Sequence, residues 1–464
     1  MLVRFNIKNF LSFNDRIAPE TNENVSIEFS MIPGKAKLNS DQIIKSTSQN
    51  LLKFGAIYGA NASGKSNLIK ALSFFQTMVQ NGKLPTSASE LYCKIDKNNK
   101  TKPSYFEIEI LLDDTVYSYG FEVILSQNII ISEWLVRIDK DTEIKLFYKD
   151  GADNSYHFDD VLKDNQALNI YQQGILGANT LFLTEMNKDK IGFYMQNPTT
   201  IILTKVYSWI CNNLETVFPN KLTQDASFMI NTSSLDKVAE LLHSFGTGII
   251  NIKEIPEDLD KVLYNLPSSI KNELTKQIET FKTIKNRHTD NSCHFNKISF
   301  LTRSSEDIIK INFDFNTGIN AYSIQFMHEN IEQDILFRAS EESDGTLRLF
   351  ELIEILLSDS EKTYIIDDLD KYLHTCLSYN FIKRFFEYST NKKVQLLTTT
   401  HETKLMDLKL LRRDEIWFVD KDKKGNSSIY SLEEYNTRFD QKVDKAYLEG
   451  RYGRVPSFNS LYSH

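Results

Sequence analysis

Residues 59–66 (GANASGKS) constrain the fold of this 464-residue chain most, because they match the pattern G-x-x-x-x-G-K-[ST] completely. An apolar strand is predicted at residues 54–58, and an amphipathic helix follows the motif and ends at residues 81–82 (NG). In that context the glycines let the backbone curl around an anion, Lys65 reaches the outer phosphates and Ser66 supplies an oxygen to Mg²⁺. The motif therefore predicts a phosphate-binding loop. Its candidate binding residues are Gly59, Asn61, Ala62, Ser63, Gly64, Lys65, Ser66 and Asn67.

Two adjacent acids end a predicted strand at residues 364–368 (YIIDD). Paired carboxylates at a strand end are commonly only a turn. A nucleotide site, however, needs one acid for the metal and another to orient the attacking water, and the phosphate-binding loop makes that interpretation the favoured one. We therefore predict Asp367 as a Mg²⁺ ligand and Asp368 as the water-orienting base.

Two further segments contain candidate site residues. Residues 342–346 (ESDGT) precede a helix with an apolar side, and Ser343 taken alone would be an N-cap. Residues 394–398 (VQLLT) predict a short buried strand, and His401 follows it. A lone histidine is more often structural than a ligand. Ser343 and His401 are therefore candidates only in combination with the motifs above.

Periodicity separates β-rich parts of the chain from helical ones. Apolar and polar residues alternate over residues 3–7 and again over 105–138, which predicts an antiparallel meander. Residues 234–282 carry two helical stripes that are too short for coiled-coil arms. The predicted domains are an N-terminal lobe over residues 1–204 with the phosphate-binding loop and an antiparallel β subdomain, a helical insertion over 205–300, and a C-terminal lobe over 301–464.

Composition narrows the class of protein. The chain has 54 Lys and Arg against 62 Asp and Glu, a net charge of −8, which argues against a surface coated with positive charge for nucleic acid. No run of about 18 apolar residues offers a membrane span, and the N-terminal residues alternate where a secretory signal would be apolar. The four cysteines lie far apart. We therefore expect a soluble cytoplasmic protein without disulfides or a zinc site.

Two lysine runs and one Cys-His pair remain. The runs, in residues 94–102 and 421–424, are typical of solvated turns, and contact with nucleic acid is the alternative. The pair Cys293-His294 lacks partners for a metal site. None of these features therefore adds a predicted site.

Taken together and in this order, the motifs resemble the ATP-binding-cassette head of structural-maintenance (SMC) and recombination-repair ATPases. The matching segments are IKNFLSF near the start, GANASGKSN, SDGT in place of the usual LSGGQ, IIDDLD and His401. Residues 343–349 (SDGTLRL) and 446–456 (AYLEGRYGRVP) are closer to one branch, the stand-alone phage-defence ATPases of the RloA and AbiLii kind (the AAA_15 group), to which the ATPase of PARIS systems also belongs. The resemblance spans essentially the whole chain. It implies an α/β fold: an SMC-like ABC-ATPase head with an antiparallel β subdomain and a short helical insertion.

The resemblance also implies cofactors and residue roles. ATP and Mg²⁺ are the implied cofactors, and adenine is inferred from the family alone. The roles implied by position are phosphate and Mg²⁺ binding for Lys65 and Ser66, support of the metal for Asp367, base catalysis for Asp368, signature contacts for Ser343 and Gly345, γ-phosphate sensing for His401, and a place in the dimer-facing loop for Asp370.

Two positions depart from the family pattern. The usual base is a glutamate, whereas Asp368 holds its carboxylate about one methylene farther from the water. Since an error near 1 Å can cost about a hundredfold in rate, we expect slow hydrolysis. The glutamine that usually couples the metal to the lobe interface has no clear counterpart. Gln172, Gln173 and Glu185 are weak candidates, and a surface position is the alternative for each.

Three functions are compatible with such a head. The first is a nucleotide-controlled sensor or scaffold of an anti-phage, abortive-infection system. It would form a homodimer around ATP or a higher oligomer, respond to a phage protein and regulate a separate effector, a TOPRIM-like nuclease from a neighbouring gene. The second is a DNA-repair ATPase acting directly on DNA, which the acidic balance and the missing coiled-coil arms disfavour. The third, a transporter motor, is disfavoured by the SDGT signature and the insertion. We expect the effector to be another chain, because too few residues follow His401 for a TOPRIM domain.

Overall fold

A computed structural model gives the structure of the chain. Within it the chain forms two compact units, neither of which is one continuous stretch of sequence. The first unit comprises Met1–Val217, Asp359–Leu369 and Ser389–His464, and the second comprises Phe218–Ser358 and Asp370–Tyr388. The predicted boundaries near residues 204 and 300 stay a prediction. The residues that the structure describes are 1–17, 24–35, 38–139, 142–149, 151, 155–159, 162, 165–175, 179–188, 190–218, 223–225, 232–287, 298–303, 307–314, 317–330, 335–358, 361–435 and 443–452.

Both units contain strands. In chain order the strands are β1 (Leu2–Lys8), β2 (Arg16–Ile17), β3 (Asn24–Val25), β4 (Ile27–Ser30), β5 (Ile43–Ile44), β6 (Leu51–Leu52), β7 (Phe54–Tyr58), β8 (Ser104–Leu112), β9 (Thr115–Ile124), β10 (Ile129–Asp139), β11 (Thr142–Lys149), β12 (Tyr156–Phe158), β13 (Leu214–Val217), β14 (Thr223–Asp225), β15 (Ile249–Glu257), β16 (Ile298–Arg303), β17 (Ile308–Asp314), β18 (Gly318–His328), β19 (Thr363–Ile366), β20 (Gln395–Thr399), β21 (Ile416–Lys421) and β22 (Ser427–Ser431).

Helices connect and cover these strands. The α-helices are α1 (Lys65–Asn81), α2 (Gln166–Ile175), α3 (Phe182–Met186), α4 (Ile191–Gln196), α5 (Ile201–Ser208), α6 (Thr232–Ser244), α7 (Leu259–Asn265), α8 (Ser268–Arg287), α9 (Asp344–Leu357), α10 (Thr375–Tyr388) and α11 (Val443–Leu448). Among the described residues, no helix is long and apolar enough to cross a membrane.

A six-stranded sheet of the first unit contains the strand that leads into the phosphate-binding loop. Its order is β13-β19-β20-β7-β21-β22, and all neighbours are parallel except β22, which runs antiparallel to β21. Every residue of β7, β19 and β20 is buried, as expected for strands of a parallel sheet covered on both faces. The predicted strands before the loop and before the paired acids are therefore confirmed, and they are separated by one strand, β20.

The predicted antiparallel meander is also confirmed, as part of a seven-stranded sheet in the same unit. The strand order is β12-β11-β10-β9-β8-β1-β4, so that β8, β9 and β10 pair in succession. Helix α1 packs on this sheet through Phe75, whose ring stacks on that of Phe121 with centroids 5.3 Å apart. Gln395 links the two sheets, because its side chain accepts a hydrogen bond from Leu2 N at 2.7 Å and donates one to Leu2 O at 3.0 Å. The expected α/β class with an antiparallel β subdomain is thus present.

The second unit contains a five-stranded antiparallel sheet with the order β14-β16-β17-β18-β15. Helices α7 and α8 pack their buried apolar residues against β17 and β18, in one cluster that includes Leu274, Phe281 and Ile311. The helical stripes expected over residues 234–282 are therefore real. The segment is not purely helical, however, because β15 lies between α6 and α7 and pairs with β18.

Candidate nucleotide-binding site

Glycine is required where the loop turns into helix α1. Gly64 is the N-cap of the helix and has φ 118°, in the region that side chains rarely adopt. A Cβ at this position would lie 2.9 Å from Ser12 Oγ and closer still to Ser427 Oγ. The tip residues Asn61 and Ala62 are exposed. The loop thus curls as its sequence predicts, with its backbone pressed against two serines and its tip open to solvent.

Lys65 holds its positive charge inside the curl of the loop. The residue is 6% exposed, and its Nζ donates hydrogen bonds to Gly59 O at 2.9 Å and Ala60 O at 3.2 Å. The first turn of a long helix adds N–H groups and the positive end of the helix dipole. An anion in this loop would therefore meet a buried cation and several backbone donors.

Ser66 and Asp367 are joined by a direct hydrogen bond although they lie far apart in sequence. Ser66 Oγ donates to Asp367 Oδ1 at 3.0 Å, and the aspartate is only 5% exposed. A hydroxyl and a carboxylate are the hard oxygen ligands that Mg²⁺ takes, usually from one or two protein groups plus phosphates and water. Among the described residues no cluster of three or more His, Cys, Asp and Glu could hold a metal ion. The donor set at Ser66 and Asp367 therefore fits Mg²⁺ held jointly with a nucleotide.

Thr399 is a site residue that the sequence analysis missed. Its Oγ1 donates to Asp367 Oδ1 at 2.7 Å and accepts from the backbone N–H of Asp368 at 2.8 Å. Asp368 itself has φ 52°, a left-handed conformation that costs energy outside glycine, and it is half-buried. Thr399 thus contacts the carboxylate of Asp367 and the backbone of Asp368. The only signal in the sequence is a run of threonines at the end of an apolar strand, at residues 398–400.

The ends of three adjacent parallel strands bring the motifs to one edge of the sheet. β19, β20 and β7 are neighbours, and Thr400 N, just beyond β20, donates to Ile57 O at 3.1 Å. His401 follows and is exposed. Ligands of α/β sheets bind at the carboxyl ends of the strands, where the phosphate loop, the paired acids and His401 all lie. The γ-phosphate role of His401 stays a prediction.

Three polar side chains fix the base of the loop, and two of them, Ser12 and Ser427, come from distant segments. Asn67 Nδ2 donates to Ser12 Oγ at 2.8 Å, and Ser427 Oγ lies 2.7 Å from Ser12 Oγ and 2.5 Å from Ser63 O. Ser12 belongs to the IKNFLSF segment, and neither it nor Ser427 was predicted as a site residue. The buried Ser63 Oγ has no hydrogen-bond partner among the described residues. The base of the loop is therefore fixed by side chains of the chain itself.

The signature residues lie in the second unit, at the start of helix α9. Ser343 is the N-cap, and its Oγ accepts from Thr346 N at 3.1 Å. A Cβ on Gly345 would lie 3.0 Å from Tyr372 O, so that the glycine lets the chain after the paired acids pass close to the helix. Ser343 and Asp344 are exposed. The N-cap function expected from residue type is confirmed, and a contact of Ser343 and Gly345 with nucleotide stays a prediction.

The weak candidates for the coupling glutamine have local partners. Gln172 Nε2 donates to Asn169 Oδ1 at 3.0 Å within helix α2. Glu185 pairs with Lys190 at 3.3 Å and with Lys188 at 3.6 Å. Gln173 is exposed, as the surface interpretation expects, whereas Gln172 and Glu185 are half-buried.

The two lysine runs form one surface. Asn99 Nδ2 in the first run donates to Asn14 Oδ1 at 2.9 Å, and Asn14 Nδ2 donates to Asn426 Oδ1 at 3.2 Å. A Cβ on Gly425 would lie 3.6 Å from Ile95 Cδ1. The lysines of this surface are Lys94, Lys97, Lys100, Lys102, Lys421, Lys423 and Lys424, and in the described part of the chain only Lys94 has an ion pair, with Glu90 at 2.9 Å. A local basic patch thus exists on an acidic protein.

Comparison with known proteins places the site in a family context. The family model described as "AAA domain, putative AbiEii toxin, Type IV TA system" (AAA_21) matches residues 54–160 and 225–407, more than half of the chain. No curated protein matches the sequence.

Solved structures with a similar fold include SMC head domains. One is an SMC head bound to the C-terminal winged-helix domain of ScpA, with 14% identity, 93% of this chain and 97% of that chain covered, and a TM-score of 0.42. Another is the SMC head from Thermotoga maritima, with 12% identity, coverage of 93% and 98%, and a TM-score of 0.32. A third is the Pyrococcus furiosus head with an extended coiled coil, with 14% identity, coverage of 93% and 96%, and a TM-score of 0.41.

Proposed function

Because this chain belongs to the AAA_21 family of AAA domains, we propose that it binds ATP with Mg²⁺ at the loop of residues 59–66 and hydrolyses it slowly. The observation that carries the proposal is the hydrogen-bonded group of Ser66, Asp367 and Thr399, together with the Lys65 ammonium inside the loop. Phosphoryl transfer needs positioning and charge stabilisation more than covalent chemistry, and these four residues supply both kinds of group.

Each residue then has a defined task. Lys65 binds the outer phosphates, and Ser66 with Asp367 holds Mg²⁺, which when bound neutralises phosphate charge. Asp368 accepts a proton from the attacking water and orients it, while the hydroxyl of Thr399 holds the carboxylate of Asp367 and the backbone N–H of Asp368. His401 contacts the γ-phosphate. The short side chain of Asp368 makes the step slow, which suits a switch that stays closed while ATP is bound.

Two copies of the chain are proposed to close around two ATP molecules. Ser343 and Gly345 of one copy would then contact the nucleotide of the other, with Asp370 in the facing loop. The exposed turn at the start of α9 supports this idea, because Ser343 and Asp344 are open to a partner. Such a pairing follows two-fold symmetry, in which each copy supplies the same surface.

The cellular role we infer is that of a sensor or scaffold in an anti-phage, abortive-infection system. ATP-dependent closure would respond to a phage protein and regulate a separate effector, a nuclease of TOPRIM-like type encoded next to it. The support is the resemblance to phage-defence ATPases and the family's description as a putative AbiEii toxin of a type IV toxin–antitoxin system. A switch of this kind acts by binding its effector more tightly in one nucleotide state than in the other.

Calorimetry and co-expression test these proposals separately. Lys65→Ala should weaken Mg²⁺-dependent ATP binding, and unchanged affinity would refute the assignment of the loop.

Mixing a Lys65→Ala chain with a Ser343→Arg chain should restore some hydrolysis, since one of the two composite sites is then intact. Expression alone should be harmless, whereas co-expression with the neighbouring gene should give a stable complex and growth arrest on infection. Full protection by this chain alone would contradict the effector model.

A DNA-acting ATPase is the second candidate, favoured by the basic patch around residues 94–102 and 421–424. Phosphate contacts make binding depend steeply on salt. If this candidate is right, duplex DNA should stimulate ATP hydrolysis, and a variant with Lys97, Lys100, Lys423 and Lys424 all changed to Glu should lose the stimulation but keep basal turnover. If duplex DNA does not stimulate ATP hydrolysis even at low salt, the result favours the sensor model.

A further inference from the structure

The segment that leads into the signature turn runs along strand β18 near its end. Phe326 and Phe337 form an isolated antiparallel bridge, in which each backbone N–H donates to the carbonyl of the other residue at 2.8 Å. The ring of Phe326 also lies edge-on to that of Phe350 in helix α9, with centroids 5.6 Å apart. The segment before the turn and the helix after it therefore both contact the same strand of the second unit.

His328, the last residue of β18, is hydrogen-bonded to the residue that directly precedes Ser343. Its Nε2 lies 2.5 Å from Oε1 of Glu342, whose side chain is 5% exposed. Since an ionised carboxylate only accepts hydrogen bonds, Nε2 is the donor. The imidazole ring also lies edge-on to that of Phe337, with centroids 5.0 Å apart. His328 thus joins the end of the strand to the start of the signature turn.

The hydrogen bonds of Ser343 stay within the first turn of helix α9. Its Oγ accepts from Thr346 N at 3.1 Å, and its carbonyl accepts from Leu347 N at 3.0 Å. Such bonds shape the start of a helix, but the ends of helices open more easily than their middles. Glu342 is joined to Ser343 by one planar peptide unit, so an anchored Glu342 restrains the residue from which the turn begins. The contact with His328 therefore opposes opening of the exposed turn.

We propose that His328 is a positioning residue of the composite nucleotide site, which holds Glu342 and so keeps the Ser343 turn formed before a second copy of the chain docks on it with bound ATP. This inference rests on the proposed pairing of two copies and extends it to a residue that none of the predicted roles includes. Association costs less free energy when the docking surface is already ordered. Without His328, the buried carboxylate of Glu342 loses this donor, which favours conformations in which Glu342 reaches water and the turn opens.

Two substitutions of similar size separate the hydrogen bond from the ring. His328→Leu and His328→Gln both remove the imidazole that packs on Phe337, but the glutamine amide can still donate to Glu342. With Mg²⁺ and the non-hydrolysable analogue AMP-PNP, analytical ultracentrifugation should show a dimer Kd about tenfold higher for His328→Leu and within about threefold of wild type for His328→Gln. Calorimetry in a Ser343→Arg background, in which pairing is blocked, should show AMP-PNP affinity within about twofold of that background for both. Equal weakening of pairing by the two substitutions, or a parallel loss of nucleotide affinity, would overturn the inference.

Hydrogen exchange without nucleotide gives a second measurement that does not depend on pairing. The amides of Thr346 and Leu347, which are bonded to Ser343, should exchange about tenfold faster in His328→Leu than in the wild type or in His328→Gln, because the turn opens more often. Equal exchange in all three proteins would overturn the inference. If the wild type does not pair when AMP-PNP is bound, the proposed pairing fails, while faster exchange in His328→Leu alone would still support the anchoring of the turn by His328.

Discussion

The phosphate-binding loop and the signature turn are both glycine-containing helix starts, but they are held in different ways. The loop at residues 59–66 is bonded to side chains from distant parts of the sequence, among them Ser12 and Ser427. The turn at residues 343–346 is held mainly by its own cap, with Tyr372 the distant neighbour. Contacts far apart in sequence fix a shape before a ligand arrives, whereas a local cap leaves its surface open to a partner. The loop is therefore fixed by contacts across the chain, whereas the turn keeps an exposed surface.

Alanine substitution at Gly64 and at Gly345 tests this difference most directly. Gly64→Ala places a methyl group against Ser12 and Ser427 at a φ of 118°, so that the loop must shift. A shift near 1 Å should lower kcat/KM for ATP about a hundredfold. In Gly345→Ala the added Cβ would lie 3.0 Å from Tyr372 O and 3.8 Å from Ser343 Oγ, and because Gly345 is outside the loop, the affinity of an unpaired copy for ATP should stay within about threefold of wild type. Equal losses of affinity in both variants would show that the two helix starts are not different in kind.

Two neighbouring threonines test whether hydrogen bonds between distant segments matter for activity. Thr399→Val removes the hydroxyl that bonds Asp367 and Asp368, and kcat should fall about tenfold, as for other groups that support metal ligands. Thr398→Val is the matched control, since its hydroxyl donates to Ile366 O at 3.1 Å and contacts neither carboxylate. Its kcat should stay within about twofold of wild type. Identical kinetics in the two variants would remove Thr399 from the site.

Asp368→Glu tests whether the short base limits the rate. The added methylene should bring the carboxylate nearer to the water and raise steady-state turnover about fivefold. ATP affinity should hardly change, because the loop is untouched. A lower turnover would mean that the left-handed backbone at Asp368, with φ 52°, has adapted to aspartate. Turnover should be measured with saturating Mg²⁺ so that metal binding does not limit it.

The smallest expected effect concerns a carboxylate remote from both helix starts. Burial, with nearby carboxylates, raises the pKa of Glu109 on β8 to about 6, and Arg4 at 3.6 Å opposes the shift. Because the folded state holds this proton more tightly, stability is lost as pH rises from about 4.5 to 6, up to about 2 kcal/mol. Glu109→Gln should therefore stabilise the protein near pH 7.5 and not near pH 4.5. Urea unfolding at both pH values measures this, and equal gains would contradict the shift.

Much of the fold follows from local pattern. The apolar strands β7 and β19, the meander and helix α9 were all predicted, because each is specified by the periodicity of its own residues. Strand β15 was missed, since Lys253, Glu254 and Pro256 interrupt its alternation and its pairing with β18 decides its structure. Here tertiary contact overrides a weak local signal.

The same distinction between local pattern and tertiary contact applies to the candidate site. The loop and the paired acids have spacing that can be read directly, and the structure bonds Ser66 to Asp367 as that pattern requires. Thr399 and Ser427 have no such spacing, because a buried hydroxyl is useful only next to a particular partner elsewhere in the chain. A single sequence does not say which serine or threonine will have one.

The connectivity of the parallel sheet has a consequence for how the chain can vary. β13 and β19 are parallel neighbours, as are β19 and β20, and parallel strands can be joined only by a crossover. Both stretches of the second unit, Phe218–Ser358 and Asp370–Tyr388, lie inside these two crossovers. Lengthening a connection costs little free energy, whereas shifting a strand by one residue turns every side chain over. A reporter module inserted in a loop of the second unit should therefore be tolerated, with the register of the strand ends next to the phosphate-binding loop unchanged.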